Sequence, residues 1–317
     1  MAMKQRDELL KIFSKRLRIR LASLPWDTED LEEIRLRVGQ PLMFVGGGGC
    51  RYLERGMARL TPEVTDAERL TEEDLQETML YLCEYSRYAY VNQLRRGFLA
   101  MEGGIRVGVA GQYMPDAGCD GNVEYPMFFN IRVPHEKKDC ARWVCPYLWN
   151  NQGIFHTLIL APPGVGKTTF LRDLIRQLSN REKCRGIAVV DERFEIAAAY
   201  HGIPQNDLGM HTDVYSGYDK TTGCIHAIRS MAPEILAVDE IGGQEDAKTL
   251  SYAMRCGVSI VATMHAGSLE EYGSMKDHQS VLTACPFERL IWIARDAQGG
   301  RCYRLYDGQG ELLCAEP

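Results

Sequence analysis

Residues 157–169, Thr-Leu-Ile-Leu-Ala-Pro-Pro-Gly-Val-Gly-Lys-Thr-Thr, run from an apolar strand pattern through a proline- and glycine-containing loop into a helical one. That order constrains the fold more than any other stretch, because a buried strand must pass through a tight turn straight into a helix N-terminus. In a turn over 162–166 the backbone N–H groups point inward, and the positive end of the following helix adds to them. An anionic phosphate is thereby cradled with little side-chain charge. Gly164 and Gly166 admit phosphate where a Cβ would collide. Lys167 then reaches the β- and γ-phosphates, and the Thr168 hydroxyl ligates Mg²⁺. The expected nucleotide-binding set is Pro162, Pro163, Gly164, Val165, Gly166, Lys167, Thr168 and Thr169. Ala161 stands where the usual pattern opens on glycine. The flanks restore the reading, with Leu158, Ile159 and Leu160 before the loop and Phe170, Leu171, Leu174, Ile175 and Leu178 after it at helical spacing.

Downstream, short apolar runs alternate with helical patterns, which predicts a parallel sheet covered by helices. Each run carries polar residues at its carboxyl end, where open α/β sheets bind ligands. Residues 186–190 end in Asp191-Glu192, 235–238 in Asp239-Glu240, and 259–263 in Met264-His265. Counted from the phosphate-loop strand, the acidic magnesium strand is expected third, which selects Asp239-Glu240. Asp239 then holds the Mg²⁺ shell and Glu240 orients or deprotonates the attacking water. Asp191, Glu192 and Glu195 are expected either across the cleft, assisting water or metal, or in a salt-bridged structural cluster. His265 ends the strand expected beside the phosphate-loop strand, where it can sense a γ-phosphate.

At 317 residues the chain holds about two domains. Pro134 and the charges that follow break a strand-like run, so the boundary is set near residue 140, giving an N-terminal domain over 1–140 and an ATPase domain over 141–317. The first domain reads as mixed α+β. Leu10, Phe13, Leu17, Leu21 and Leu24 form one apolar helical stripe with basic residues off it, suited either to docking on the domain or to an anionic membrane surface. Strands are expected over 33–38 and 41–45, a flexible turn at the four glycines 46–49, a capped helix from Thr71, and a hairpin turning at Gly103-Gly104.

Exclusions follow from composition. A net charge of −6 argues against a dedicated nucleic-acid binder. No stretch is apolar enough to span a bilayer, so any membrane association is peripheral. The charged start lacks a signal core, which predicts that the chain is not exported. Eleven cysteines without a Cys-x-x-Cys pair suit reduced cytoplasmic thiols.

The motifs at 161–169, 190–197, 202–207, 229–242 and 263–265, joined in the first domain by 33–42 and 103–111, resemble the stage III sporulation protein AA family across nearly the whole chain. That family is more distantly similar to the hexameric ATPases of type II and type IV secretion and pilus assembly. The resemblance implies a RecA-like P-loop core behind a smaller α+β domain, and an ATP- and Mg²⁺-dependent ATPase in the mother-cell cytoplasm during sporulation. It further implies a homo-oligomer, hexameric in the secretion motors, held peripherally at the membrane by inner-membrane proteins of a channel complex between mother cell and forespore. By resemblance the catalytic residues are Lys167, Glu240, Glu192, Glu195 and His265, with Thr168 and Asp239 on the metal and Asp191 in one acidic box with Glu192 and Glu195. Three positions depart from the pattern: secretion motors usually have Gly-Glu at 239–240, a small polar residue is expected at Phe194, and arginine at His211. Ring motors often complete the site with an arginine in trans. Arg193 and Arg229 are candidates near the cleft, and Arg87, Arg95, Arg96 and Arg106 in the first domain. Two other classes share the loop. A DNA-handling RecA- or AAA-type ATPase should add a basic face or stacking aromatics, and a small-molecule kinase should add a lid and an acceptor pocket.

Overall fold

The structure is a computed structural model, and it describes residues 2–316 apart from 25–27, 29, 117–118, 152, 183, 185, 269–278 and 297. Two compact units divide the chain, Met1–His135 and Glu136–Pro317.

In the first unit the expected single N-terminal helix is two, α1 (Ala2–Ile12) and α2 (Lys15–Ala22). Ser14 is the reason: its hydroxyl accepts from the Leu17 N–H at 3.3 Å and donates to Asp74 Oδ1 at 3.1 Å, so it caps α2 and ends α1. Most of the apolar stripe survives the break: Phe13, Leu17, Leu21 and Leu24 are buried, but within α1 it is Leu9 that is buried and Leu10 only partly so. Of the basic residues off that stripe, Arg16 pairs with Glu68 and Asp74, and Arg20 pairs with Glu68 and donates to the Glu54 and Met57 carbonyls. The buried stripe docks these helices on the domain, while Lys11 and Lys15 stay exposed. The capped helix is α3 (Glu72–Leu82), with the reciprocal Thr71/Asp74 capping box in place, and α4 (Val91–Arg95) follows.

These helices accompany a seven-stranded antiparallel sheet. Its strands are β1 (Leu31–Arg37), β2 (Met43–Gly46), β3 (Gly49–Leu53), β4 (Leu60–Thr61), β5 (Phe98–Ala100), β6 (Arg106–Asp116) and β7 (Cys119–Arg132), in the order β4-β3-β2-β1-β7-β6-β5. Alternation decides which side is core: Leu31, Ile34 and Leu36 of β1 are buried, while Glu33, Arg35 and Arg37 are not. The second expected strand starts later than proposed, because Pro41 makes only an isolated bridge to Arg69. The glycine run closes β2 on β3, and the turn at Gly103-Gly104 is a 3₁₀ segment joining β5 to β6.

The second unit is built on an eight-stranded sheet: β8 (Thr157–Ala161), β9 (Ile187–Asp191), β10 (Thr212–Ser216), β11 (Ile235–Val238), β12 (Ser259–His265), β13 (Arg289–Arg295), β14 (Arg301–Asp307) and β15 (Leu312–Glu316). The order is β10-β9-β11-β12-β8-β13-β14-β15, parallel as far as β13 and antiparallel beyond it. Helix α5 (Lys167–Ser179) covers one face and α6 (Lys220–Met231) with α7 (Gln244–Arg255) the other. Strands β8, β9 and β11 are buried on both faces, as a helix-covered parallel sheet requires.

Strand β10 corrects the strand count. It is a half-exposed edge strand rich in polar residues, so apolar patterning gave no sign of it. With it included, the Asp239 strand is fourth from the phosphate-loop strand rather than third. Its place in the sheet, between β9 and β12, is what brings its carboxyl end to the site. His265 does end the strand beside β8, in register with Ala161.

Among the described residues no helix is long and apolar enough to cross a membrane. The described cysteines are free thiols. Burial pushes Cys140 and Cys145, the closest pair in sequence, up to about 11, which disfavours the thiolate that a metal needs.

Candidate active site

The loop after β8 ends with Gly166 in the left-handed region, φ 112°, directly before Lys167 opens α5. A Cβ at Gly166 would stand 3.1 Å from the Arg301 guanidinium, whose Nε donates to the Val165 carbonyl at 2.7 Å. The backbone conformation therefore favours glycine, and any Cβ would also press the Arg301 side chain back by a few tenths of an ångström. Gly166→Ala is expected to leave the protein folded and to weaken nucleotide binding about tenfold or more, since the strain falls on the phosphate cradle. Titration with a fluorescent ATP analogue checks this, and an unchanged affinity would refute it.

Lys167 is buried, and burial pulls its ammonium below the usual lysine range against the opposing pull of Asp239, Glu240 and Glu195. Its Nζ donates to His265 Nδ1 at 2.8 Å, and His265 Nε2 lies 3.1 Å from Glu240 Oε1. A ring nitrogen that accepts from an ammonium carries no proton, so the donor toward Glu240 is Nε2–H. Thr168 Oγ1 donates to Asp239 Oδ2 at 2.7 Å. A hydroxyl and a carboxylate from different elements thus converge as hard oxygen ligands of the kind Mg²⁺ takes. The other Asp239 oxygen accepts from the Thr263 hydroxyl. Thr263 lies two residues before His265 on β12, so the two side chains share one face of the strand.

Glu240 is held at every polar atom. Its N–H donates to Thr263 Oγ1 at 2.9 Å, its carbonyl accepts from Lys220 Nζ at 2.7 Å, Oε1 meets His265 and Oε2 meets Arg193. Burial would raise this carboxyl, but the His265 hydrogen bond and the Arg193 charge outweigh burial and hold it below the ordinary carboxylate value. Its backbone is left-handed, φ 51°, unusual for a side chain of this size.

The acidic segment after β9 divides by role. Asp191 is buried and accepts from the N–H groups of Glu195 (2.8 Å), Ile196 (3.1 Å) and Ala197 (2.8 Å); burial nevertheless raises its carboxyl, against these three donors. It staples the loop, and it also lines the small cleft that holds Asp239 and Glu240. Arg172 of α5, unnoticed in the sequence because it lies in an ordinary helical pattern, donates to the Ile196 and Glu195 carbonyls at 2.9 and 2.7 Å. Phe194 and Ala198 adopt φ of 56° and 49° within this stapled loop. Glu192, Arg193 and Glu195 line a small cleft with Lys220, Asp239 and Glu240. Asp191→Ala orphans three N–H groups and is expected to cost about 3 kcal/mol of stability, read as a lowered midpoint in urea; an unchanged midpoint would show that the loop holds without it.

Of the arginines proposed near the cleft, Arg193 is there and Arg229 is not. Lys220 at the start of α6 touches Glu240, and Arg229 lies nine residues further along the same helix. At about 1.5 Å per residue it is about 14 Å away along the axis, toward the amino ends of the parallel strands. His211, where arginine is expected, is structural: Nδ1–H donates to the Ser179 carbonyl at 2.6 Å.

Residues 3–313 match the sequence model of the family described as sporulation stage III, protein AA. The chain belongs to this family. Stage III sporulation protein AA of Bacillus subtilis strain 168 is 32% identical over 311 residues, covering 97% of each chain. The fold is also similar to that of the Legionella pneumophila ATPase DotB, with a TM-score of 0.55 at 12% identity, covering 92% of this chain and 79% of that one. The pilus retraction motor PilT, solved with bound ADP, gives a TM-score of 0.55 at 15% identity, covering 95% and 83%. At those identities the likeness is one of fold: a RecA-like core preceded by an α+β N-terminal domain. For this member of the family, the departures at Phe194 and His211 fall on a stapled loop turn and on a structural hydrogen bond.

Proposed function

We propose that this protein is a Mg²⁺-dependent ATPase whose hydrolysis drives conformational work in a sporulation-associated channel complex. The observation that carries the reading is the convergence of Thr168, Asp239, Glu240 and His265 beside Lys167 at one end of β8, β11 and β12. The glycine cradle and Lys167 would bind the phosphates, and Thr168 and Asp239 would hold Mg²⁺, which would supply neutralisation of phosphate charge. Glu240 orients the attacking water through its carboxylate. His265, bridged between Lys167 and Glu240, is positioned to report the γ-phosphate to the rest of the sheet. Glu192 and Glu195 line the cleft beside Asp239 and Glu240 and would assist the water.

By likeness of family and fold, the working form is a homo-oligomer, a hexameric ring in this reading, with its N-terminal domain in oligomerisation and docking. Its partners are inner-membrane proteins of the channel complex on the mother-cell side, and ATP is bound between neighbouring subunits. Specific activity that rises with protein concentration, followed alongside light scattering, supports shared sites; a flat response from a monomer argues against them. Phosphate release from ATP without an acceptor separates this reading from a kinase. An absence of stimulation by single- or double-stranded DNA separates it from a DNA-handling motor.

A further inference from the structure

Lys220 has no place in the phosphate loop or in the metal-binding pair, yet it touches the main chain of the residue on which hydrolysis depends. It occupies the first position of α6, where the helix dipole disfavours a cation. Asp219 caps that helix, accepting from the Thr222 N–H at 2.9 Å, so the lysine is not needed to start it. The side chain is mostly buried, 16% exposed, and its Nζ reaches the Glu240 carbonyl at 2.7 Å and Asp246 Oδ2 at 3.3 Å. Asp246, in the first turn of α7, passes the constraint on by accepting from the Gly242 N–H at 2.7 Å. One ammonium therefore fixes both sides of the turn that carries Glu240, and that turn needs fixing, because Glu240 sits at φ 51°. A side chain in the left-handed region persists only where its surroundings over-determine it. Thr263 holds the N–H side of Glu240 and Lys220 holds the carbonyl side.

We propose that Lys220 is a positioning residue for Glu240, holding its main-chain carbonyl so that the carboxylate stays aimed between His265 and Arg193. The inference rests on the ATPase reading above and adds a residue to it. With Lys220 removed, the Glu240 peptide relaxes toward a right-handed conformation and the carboxylate swings from its place, while the phosphate cradle after β8 is untouched.

The test compares Lys220→Met, Lys220→Arg and wild type at full length. Lys220→Met keeps the bulk and loses the charge; kcat is expected to fall about 10- to 100-fold, the loss that a misplacement of roughly 1 Å produces. ATP affinity is expected to stay within about threefold of wild type, because no group that reaches phosphate is altered. Lys220→Arg, which can still donate to a carbonyl and a carboxylate, should recover most of the rate. Hydrogen exchange at residues 240–242 should accelerate in the Met variant and not in the Arg variant. A Met variant with wild-type kcat, or with ATP affinity lost in step with rate, overturns the proposal. A wild type that hydrolyses nothing would refute the ATPase reading instead, and the exchange measurement would still judge the clamp.

Discussion

Glu240→Gln is expected to bind ATP as tightly as the wild type and to hydrolyse it about 10²- to 10⁴-fold more slowly, the range over which a positioned base or water-orienting group acts. The amide is nearly isosteric and keeps an oxygen for His265, so the turn and the phosphate cradle survive. What it loses is the negative charge that two cations now face, Arg193 directly and Lys167 through His265. The His265 hydrogen bond and those cations hold the carboxyl below the ordinary value, so Glu240 is ionised at neutral pH. A depressed carboxylate is a weak base, which favours orienting the water over removing its proton outright. The pH consequence has a definite sign. A folded-state pKa below the unfolded one contributes stability above the unfolded value and loses it as pH falls through the folded value. Wild type should therefore lose this contribution as pH falls below the ordinary carboxylate value and through the lowered folded-state one, and Glu240→Gln should lack it throughout. A decline in rate at mildly acidic pH belongs to another group. Equal loss of binding and turnover in Glu240→Gln, by calorimetry and phosphate release, would remove Glu240 from the water-activating role.

The parts of this site legible in the sequence are those fixed by backbone geometry. Gly164, Gly166 and Lys167 follow from what a phosphate turn demands, and the carboxyl ends of β11 and β12 follow from apolar runs that stop at charged or hydroxyl residues. The supporting contacts were not legible, for a consistent physical reason: they join positions far apart in the chain. Arg301 reaches the loop from β14, Lys220 reaches Glu240 from α6, and Arg172 reaches the Ile196 carbonyl from α5. Each of these cations sits in an unremarkable local pattern and gains its meaning only when the sheet order is known. Strand β10 escaped for the opposite reason, since an edge strand need not be apolar. The Asp191 question was undecidable from spacing. A carboxylate at a strand end can line a cleft, staple a loop or do both, and only the fold reveals the three N–H donors of 195–197 that Asp191 holds.

Lys167→Ala should have the largest effect on function and a small one on stability, and the two together are diagnostic. The lysine is the only cation that the phosphate turn itself contributes, and charge-assisted hydrogen bonds to phosphate are the strong kind. Removing one preorganised donor to transition-state charge costs about 10²–10³ in rate, and the lost ground-state contact weakens ATP binding as well. Hydrolysis should fall to the background of the assay. Folding should not suffer, because burial penalises this ammonium and its folded-state pKa is lowered. For a lysine, a lowered pKa means that the unfolded chain binds more protons between the folded and unfolded values, so wild-type stability rises with pH across that window. Below the window the charge is a net burden, and Lys167→Ala should unfold at a denaturant midpoint equal to or above that of wild type at neutral pH. The advantage should shrink as pH climbs toward the ordinary lysine value. His265 loses its donor in this variant, yet it keeps the Glu240 carboxylate as a partner. A variant that is inactive because it is unfolded would leave Lys167 a structural lysine. A variant that folds and turns over ATP at the wild-type rate would show that the loop after β8 is not the phosphate site.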